Sequence, residues 1–223
     1  EYRYEPRTWE VNGKTYFNES PIAGPKNAFS FVAQMRNWLP DKLGGVLWFG
    51  VDDATFTVYV PIYCGTTEVP KCFRKGNGGL LHFSWDAAYW VFNWVSSMAY
   101  SKYKYIAPDI KKVQADFEQK LEDNLEVVEI AAQSLYKKSP NYAIRFLTEY
   151  SESQATLMME QWKKLGEFLM VKYTDGNIKR ERNGRFIHNG WDVPENIEMP
   201  GYSDKFYKDI IEATGDKYEM KEK

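Results

Sequence analysis

The sequence contains very few residues of the two types that most often bind transition metals or form disulfides. Among 223 residues there are two cysteines, Cys64 and Cys72, and two histidines, His82 and His188. A zinc site takes three or four ligands at characteristic spacings, and no CxxC pair is present, so we expect no metal. The cysteines are open to two interpretations, a pair of packed thiols or a local disulfide. Neither has a histidine at the spacing of a catalytic pair.

An excess of charge of either sign is also absent. The 29 Lys and Arg residues nearly balance the 31 Asp and Glu residues, which leaves a formal net charge of −2. Proteins that bind nucleic acid usually concentrate positive charge, so we expect no nucleic-acid partner. Apolar runs such as Gly44 to Val51 are far shorter than the roughly 20 residues that cross a bilayer, so we expect no membrane span.

Motifs for nucleotide binding or serine hydrolase chemistry are missing as well. The chain has no GxSxG, no Walker A motif and no GxGxxG, so we expect no cofactor. No basic segment followed by an apolar one comes after Glu1, and the sequence therefore leaves the compartment open.

Aromatic residues, by contrast, are abundant. The 16 Tyr, 13 Phe and 8 Trp make up 17% of the chain, and each buries roughly 150–250 Å² when it packs in a core. With 43% hydrophobic and 27% charged residues, this composition predicts a soluble globular protein of one large or two small domains.

The clearest strand pattern lies between residues 46 and 63. Val46–Val51 and Thr55–Val60 are rich in β-branched and aromatic residues and flank Asp52-Asp53-Ala54, which predicts a β-hairpin. Because the first strand is apolar on both faces, we expect both faces to be covered. Residues 29–39 are interpreted as a short helix or a strand, and residues 1–30 as an irregular arm.

Three helices are predicted after the hairpin. The first has Ser84 as its N-cap, and the second has Pro108 at its first position. Apolar residues recur at spacings of three and four in the second helix as far as Leu135. The third begins near Pro140 and continues to Phe168.

The remaining pattern completes a prediction of the α+β class. Asp175-Gly176 and Asn183-Gly184 predict the turns of a small C-terminal hairpin. We therefore expect an arm and sheet-forming hairpin over 1–80, a helical layer over 81–173, and a C-terminal hairpin and tail over 174–223, all within one structural unit.

Four polar residues are candidates for a functional site. Asp52 and Asp53, in the turn of the hairpin, could coordinate calcium, bind a substrate amine or simply be solvated. Asn93 lies among aromatic residues of the first helix, either as a satisfied core amide or as a substrate contact. Arg36 is either a surface arginine or the partner of a substrate carboxylate. From the residues alone, no self-contained catalytic set emerges.

A resemblance to a known family rests on several segments in the same order along most of the chain, to about residue 190. They are RTWEVNGKTYFNE at Arg7–Glu19, Trp38-Leu39-Pro40, GGVLWFGVDD at Gly44–Asp53, Pro61-Ile62-Tyr63, Val69-Pro70, Phe92-Asn93, LTEYS at Leu147–Ser151 and LMVKYTDGNIK at Leu169–Lys179. The sequence resembles the cysteine dipeptidases of the N-terminal-nucleophile hydrolase superfamily.

The resemblance implies a four-layer αββα sandwich and a cysteine nucleophile at the mature N-terminus, whose own α-amino group acts as the base. Residue 1 is Glu, and neither Cys64 nor Cys72 is terminal. We therefore expect the C-terminal half of such a sandwich, with the nucleophile in a missing N-terminal part and this chain inactive alone. Its partners would be a dipeptide and either that part or a second copy of the chain.

For the parent enzyme, the resemblance implies attack of a thiolate on the dipeptide carbonyl. Asp52 and Asp53 would favour the substrate ammonium, Arg36 its carboxylate, and Asn93 would be a further contact. The rival interpretation is a non-catalytic, aromatic-rich module that binds peptide or sugar. An upstream, in-frame cysteine after a start Met or a cleavable segment would favour the peptidase.

Overall fold

The computed structural model describes residues 8–19 and 21–220. The chain divides into two compact units, Glu1–Met170 and Val171–Lys223. Both helices and strands are present, so the predicted α+β class is confirmed, whereas the three-part organisation stays a prediction. None of the helices in the described ranges has a stretch long and apolar enough to cross a membrane.

A small hairpin precedes the main sheet. Strands β1 (Thr8–Val11) and β2 (Lys14–Phe17) pair antiparallel, with Val11 opposite Lys14. The two connecting residues, Asn12 and Gly13, have φ of +51° and +72°, which is the left-handed geometry of the tight turn that matches strand twist. The prediction of an irregular arm over 1–30 is therefore wrong for these residues, because it overlooked the Asn-Gly signal.

The main sheet has three antiparallel strands in the order β3-β4-β5: Phe29–Met35, Gly45–Val51 and Val60–Tyr63. A hairpin follows β4 as predicted, but the predicted second strand, Thr55–Val60, is wrong except for its last residue, because β4 pairs with Val60–Tyr63. The connection is longer than predicted, since the second strand begins only at Val60. Residues 29–35, left open between helix and strand, form the third strand.

The two faces of this sheet differ in their cover. Strand register places Phe29, Phe31 and Met35 of β3 on the same face as Leu47 and Phe49 of β4. The three β3 side chains expose more than half of their surface, and Leu47 and Phe49 are half-buried. The expectation that both faces of β4 are covered is thus only partly met, and we call this side the open face.

The opposite face packs on helices. Val46 and Tyr63 belong to a buried cluster with Leu43, Ala132 and Leu147. Leu43 lies in the short helix α1 (Asp41–Gly44), while the last two residues come from long helices downstream. Tertiary packing of this kind, rather than intrinsic propensity, supplies most of the stability of helices in proteins.

Three long helices follow the sheet, as predicted: α2 (Ala88–Ser101), α3 (Tyr103–Lys138) and α4 (Pro140–Tyr173). Helix α2 packs on α4 through the stacked rings of Phe92 and Trp162, whose centroids are 4.6 Å apart. These two side chains are almost completely buried. The helices thus form a layer on one face of the sheet.

Two of the predicted helix starts are wrong. Ser84 is not the N-cap of α2; its hydroxyl accepts from the backbone N–H of Asp86 (3.2 Å) in a turn, and the helix begins at Ala88. Helix α3 begins at Tyr103, so Pro108 lies inside it. The helix starts at Tyr103 because the backbone leaves the helical conformation only at Lys102, which has φ −146° and ψ 54°.

The second unit contains a hairpin and a helix. Strands β6 (Glu181–Arg182) and β7 (Arg185–Phe186) flank Asn183-Gly184, as predicted. Asp175-Gly176, in contrast, belongs to a 3₁₀ turn after α4. Helix α5 (Asp204–Thr214) was not predicted, although Ser203 caps it by accepting from the Phe206 N–H at 3.3 Å.

Candidate active site

The two acidic residues after β4 are buried, each with 1% of its surface exposed. Asp52 has φ of +63°, and its N–H donates to the carbonyl of Ala28 at 2.9 Å. The interpretation of a solvated turn is therefore wrong. The turn is buried because the side chains of α2 lie against it, as the hydrogen bonds below show.

Asp52 is held by two side chains of α2. Its Oδ1 accepts from Asn93 Nδ2 at 2.8 Å, and its Oδ2 accepts from Ser96 Oγ at 2.6 Å. Burial raises the pKa of Asp52 above the usual 3.8, although the hydrogen bonds from Ser96 and Asn93 oppose that rise. A buried carboxyl with a raised pKa and two positioned donors is typical of a functional site.

Asp53 has a different set of partners. Its Oδ1 accepts from the Thr55 N–H at 2.9 Å, and its Oδ2 accepts from the Tyr100 hydroxyl. All four oxygens of the two carboxyls therefore face hydrogen-bond donors. A calcium ion needs six to eight oxygen ligands, and the described residues contain no group of three or more His, Cys, Asp or Glu that could hold a metal.

A concave cavity of about 360 Å³ lies beside this cluster, on the open face. Seven large, mainly apolar side chains line it: Phe29, Phe49, Val51, Phe73, Leu80, Tyr89 and Trp90. Tyr89 is common to both features, since burial and then the negative charge of Asp52 raise the pKa of its phenol. The cavity and the acidic cluster thus form one candidate site.

A further wall of the cavity is formed by the glycine-rich segment Lys75–Gly79. This segment is fixed to α2, because Trp90 Nε1 donates to the carbonyl of Gly79 at 3.1 Å. Gly78 has φ of +112°, and a Cβ there would lie 2.8 Å from the carbonyl oxygen of His82. Glycine is therefore required at this position for the wall to take its shape.

Arg36 lies elsewhere. It follows Met35, the last residue of β3, which pairs with Gly45 at the start of β4. Asp52 follows the other end of β4. The length of that strand, at about 3.3 Å per residue, separates the two sites by about 20 Å. Its guanidinium donates to the carbonyls of Gly44 (3.3 Å) and Leu43 (3.2 Å) and to the carboxylate of Glu129. The interpretation as a surface arginine is wrong, since its side chain is 6% exposed.

Both cysteine thiols are free, so the alternative of a local disulfide is not found. Cys64 is exposed, and its thiol donates to the carbonyl of Asp41 at 2.6 Å. Burial, with a smaller contribution from Glu152, raises the pKa of Cys72 to about 12. A thiol with so high a pKa is protonated at neutral pH and is a poor nucleophile.

The structure brings together Asp52, Asp53 and Asn93 but not Arg36, and it adds residues that the sequence analysis missed. Tyr89, Ser96 and Tyr100 occur at positions −4, +3 and +7 relative to Asn93. That spacing places polar atoms on one face of a helix. The signal was available, but the abundance of aromatic residues in α2 concealed it.

The comparisons with known proteins give the class of the chain. The family model of Peptidase family C69 matches residues 2–116, which is just over half of the chain. The chain therefore belongs to peptidase family C69, and the resemblance to cysteine dipeptidases is confirmed at the level of the family. The matched segment contains both the acidic cluster and the cavity.

One relative adds a more particular likeness. A protein named probable dipeptidase B from Lactococcus lactis subsp. lactis (strain IL1403) is 34% identical over 58 residues, which are 26% of this chain and 12% of the relative. The matched stretch therefore covers about an eighth of that relative, and the chain is about half as long as the relative.

Proposed function

We propose that this chain is the C-terminal portion of a cysteine dipeptidase that acts by N-terminal-nucleophile chemistry. The observation that carries the proposal is the family match over residues 2–116, because this segment holds the candidate site. The length of the relative and the chemistry of the two cysteines support the other part of the proposal, that the nucleophile lies outside this chain. Burial raises the pKa of the Cys72 thiol to about 12, and the Cys64 thiol donates to the carbonyl of Asp41, so the proposal places the nucleophile in a segment that precedes this chain.

In this proposal the acidic cluster binds the free ammonium of the dipeptide. Asp52 supplies the negative charge, and Asn93, which is only partly buried, supplies the surface that reaches the substrate. The thiolate from the N-terminal part attacks the peptide carbonyl, and its α-amino group transfers the proton to the leaving amine. The thioester that remains is then hydrolysed by water, which releases the free acid and the thiol.

The substrate roles of Asp53 and Arg36 stay predictions. Both side chains are already engaged, Asp53 by Thr55 and Tyr100 and Arg36 by Glu129 and two carbonyls. Binding of a substrate group would require these contacts to be exchanged. Asp52 is engaged in the same way, by Asn93 and Ser96. We give Asp52 and Asn93 precedence because Tyr89, which lines the cavity, is influenced by the charge of Asp52.

The open face supports the assembly part of the proposal. An αββα sandwich packs two sheets face to face, with a helical layer on the outer face of each sheet. Half of such a sandwich therefore has one sheet, and helices cover only one face of that sheet. The face with Phe31, Met35 and Leu47 would then receive the second sheet, from the N-terminal part or a second copy. Exposed apolar faces of this kind mark interaction surfaces.

The test compares this chain with the complete gene product, using dipeptide hydrolysis as the readout. We expect the complete protein to be active and this chain to be inactive. The double variant Cys64→Ala/Cys72→Ala should leave the activity of the complete protein intact. Turnover by this chain alone that survives both substitutions would show that the nucleophile is misplaced, and a complete protein that binds but never hydrolyses peptides would favour the binding module.

Assembly has its own readout. Sedimentation of this chain at micromolar concentration should show self-association through the open face. The substitutions Phe31→Lys and Met35→Lys should then return it to a monomer. A compact monomer in the unmodified chain would contradict the assembly proposal and leave the dipeptidase proposal standing.

A further inference from the structure

The cavity on the open face combines an aromatic wall with a positive rim. Its interior is formed by Phe49, Val51, Phe73 and Trp90, and its volume of about 360 Å³ lies at the lower end of the range for small-molecule sites. Such a site is too small for a folded partner and large enough for one bulky side chain. Its lining makes an apolar side chain the favoured occupant.

The positive charge at the rim comes from Lys75. Two basic residues line the cavity, Arg74 and Lys75. Arg74 is engaged, with Nε donating to the carbonyl of Val69 and Nη2 to Glu68, both at 2.7 Å. Lys75 is exposed and is not engaged by another described residue. Its ammonium is therefore free to pair with an anionic group of the occupant.

The cavity is also preformed on one side. The glycine-rich wall is anchored to α2 by Trp90 and closed by reciprocal backbone hydrogen bonds between Gly79 and His82, at 3.1 and 2.9 Å. Phe73 packs edge-on against Phe49, with centroids 5.1 Å apart. A wall that is fixed before binding reduces the entropy lost on binding.

We propose that this cavity is the specificity pocket for the C-terminal residue of the substrate. It accepts a bulky apolar or aromatic side chain, while Lys75 pairs with the adjacent free carboxylate. This inference rests on the proposed function, because it specifies which class of side chain the C-terminal residue of the dipeptide substrate carries. It places the ammonium at the Asp52 cluster and the carboxylate at the opposite, basic rim.

The first experiment measures hydrolysis of Ala-Phe, Ala-Leu and Ala-Gly by the complete gene product. Full burial of a Phe or Leu side chain predicts a preference over Gly of about 10- to 100-fold in kcat/KM. The variant Ala87→Leu fills the cavity from its α2 side and should lower that preference at least 5-fold. Ala115→Leu, an exposed site on α3, is the matched control and should leave the preference unchanged.

The role of Lys75 is tested by the charge of the ligand. Ala-Phe should be favoured over its C-terminal amide by about 2- to 5-fold, as for an exposed ion pair, and Lys75→Gln should remove this difference. Lys71→Gln, four residues earlier and also exposed, should keep it. An unchanged ratio in Lys75→Gln would overturn the carboxylate assignment.

A binding experiment separates this inference from the proposed function. N-acetyl-phenylalanine and N-acetylglycine are added to this chain, and contact is followed by ligand-observed NMR. Binding of the phenylalanine derivative alone, lost in Ala87→Leu and kept in Ala115→Leu, supports the pocket even if no dipeptide is hydrolysed. Hydrolysis without apolar preference, or binding that Ala87→Leu leaves unchanged, overturns the pocket and leaves the dipeptidase proposal intact.

Discussion

Replacing Glu129 with Gln is expected to destabilise the chain, because it leaves the buried guanidinium of Arg36 without its counter-charge. The side chains of Arg36 and Glu129 are 6% and 19% exposed, and breaking a buried ion pair by removing one partner costs roughly 3–5 kcal/mol. We expect about 3 kcal/mol, the lower end. Glu129 keeps some access to water, and the carbonyls of Leu43 and Gly44 still hold the guanidinium.

The measurement is equilibrium unfolding in urea, where the variant should lower the midpoint without changing the slope. Glu149→Gln is the matched control. Its ion pair with Arg145 is a helical i,i+4 pair, with side chains 64% and 80% exposed, and exposed pairs of this kind contribute far less to stability than buried ones. If both variants lose equally little stability, Glu129 does not hold Arg36, and a substrate role for Arg36 gains ground.

Three further predictions concern packing, protonation and thiol reactivity. Gly166→Ala should cost about 1–3 kcal/mol in urea unfolding, because its Cβ would lie 2.1 Å from Cζ3 of Trp94; unchanged stability would show that the ring moves freely. Burial raises the pKa of Asp52 in the folded state, so the folded state holds its proton to a higher pH than the unfolded state does. The unfolding free energy should therefore fall as pH rises from 3.8 through the raised pKa. The fall should be about 1.4 kcal/mol for each unit by which the folded pKa exceeds the unfolded pKa. Asp52→Asn should remove this dependence, and parallel pH profiles would contradict it. At pH 8 a disulfide reagent should label Cys64 well before Cys72, whose pKa is about 12; equal rates in labelled peptides by mass spectrometry would contradict this.

Much of the local structure could be predicted because its signals are local. The apolar run at Val46–Val51 became the central strand, and apolar spacings of three and four located α3 and α4. Asn183-Gly184 became a tight turn as predicted. The same dipeptide at Asn12-Gly13 also forms a tight turn, in a part of the chain where nearby prolines and glycines favour irregular structure.

The site could be predicted only in part, because its geometry depends on contacts between distant residues. A pair of acidic residues between two strands is usually solvated, and nothing near Asp52 in the sequence indicates that α2 covers it. Arg36 was misjudged for the same reason, since its partner Glu129 is 93 residues away. Patterns identify the elements, but they do not show which polar groups meet after packing.

The burial of the acidic turn has a consequence for the order of folding. The side-chain donors to Asp52 and Asp53 come from residues 41, 44 and 47 positions later in the chain. Until α2 exists, both carboxylates must keep their water. During synthesis at roughly 5–20 residues per second, the acidic turn at the end of β4 therefore stays hydrated for about 2–10 seconds after Asp53 is added. The acidic turn can thus be buried only after the helix that completes the site has been made.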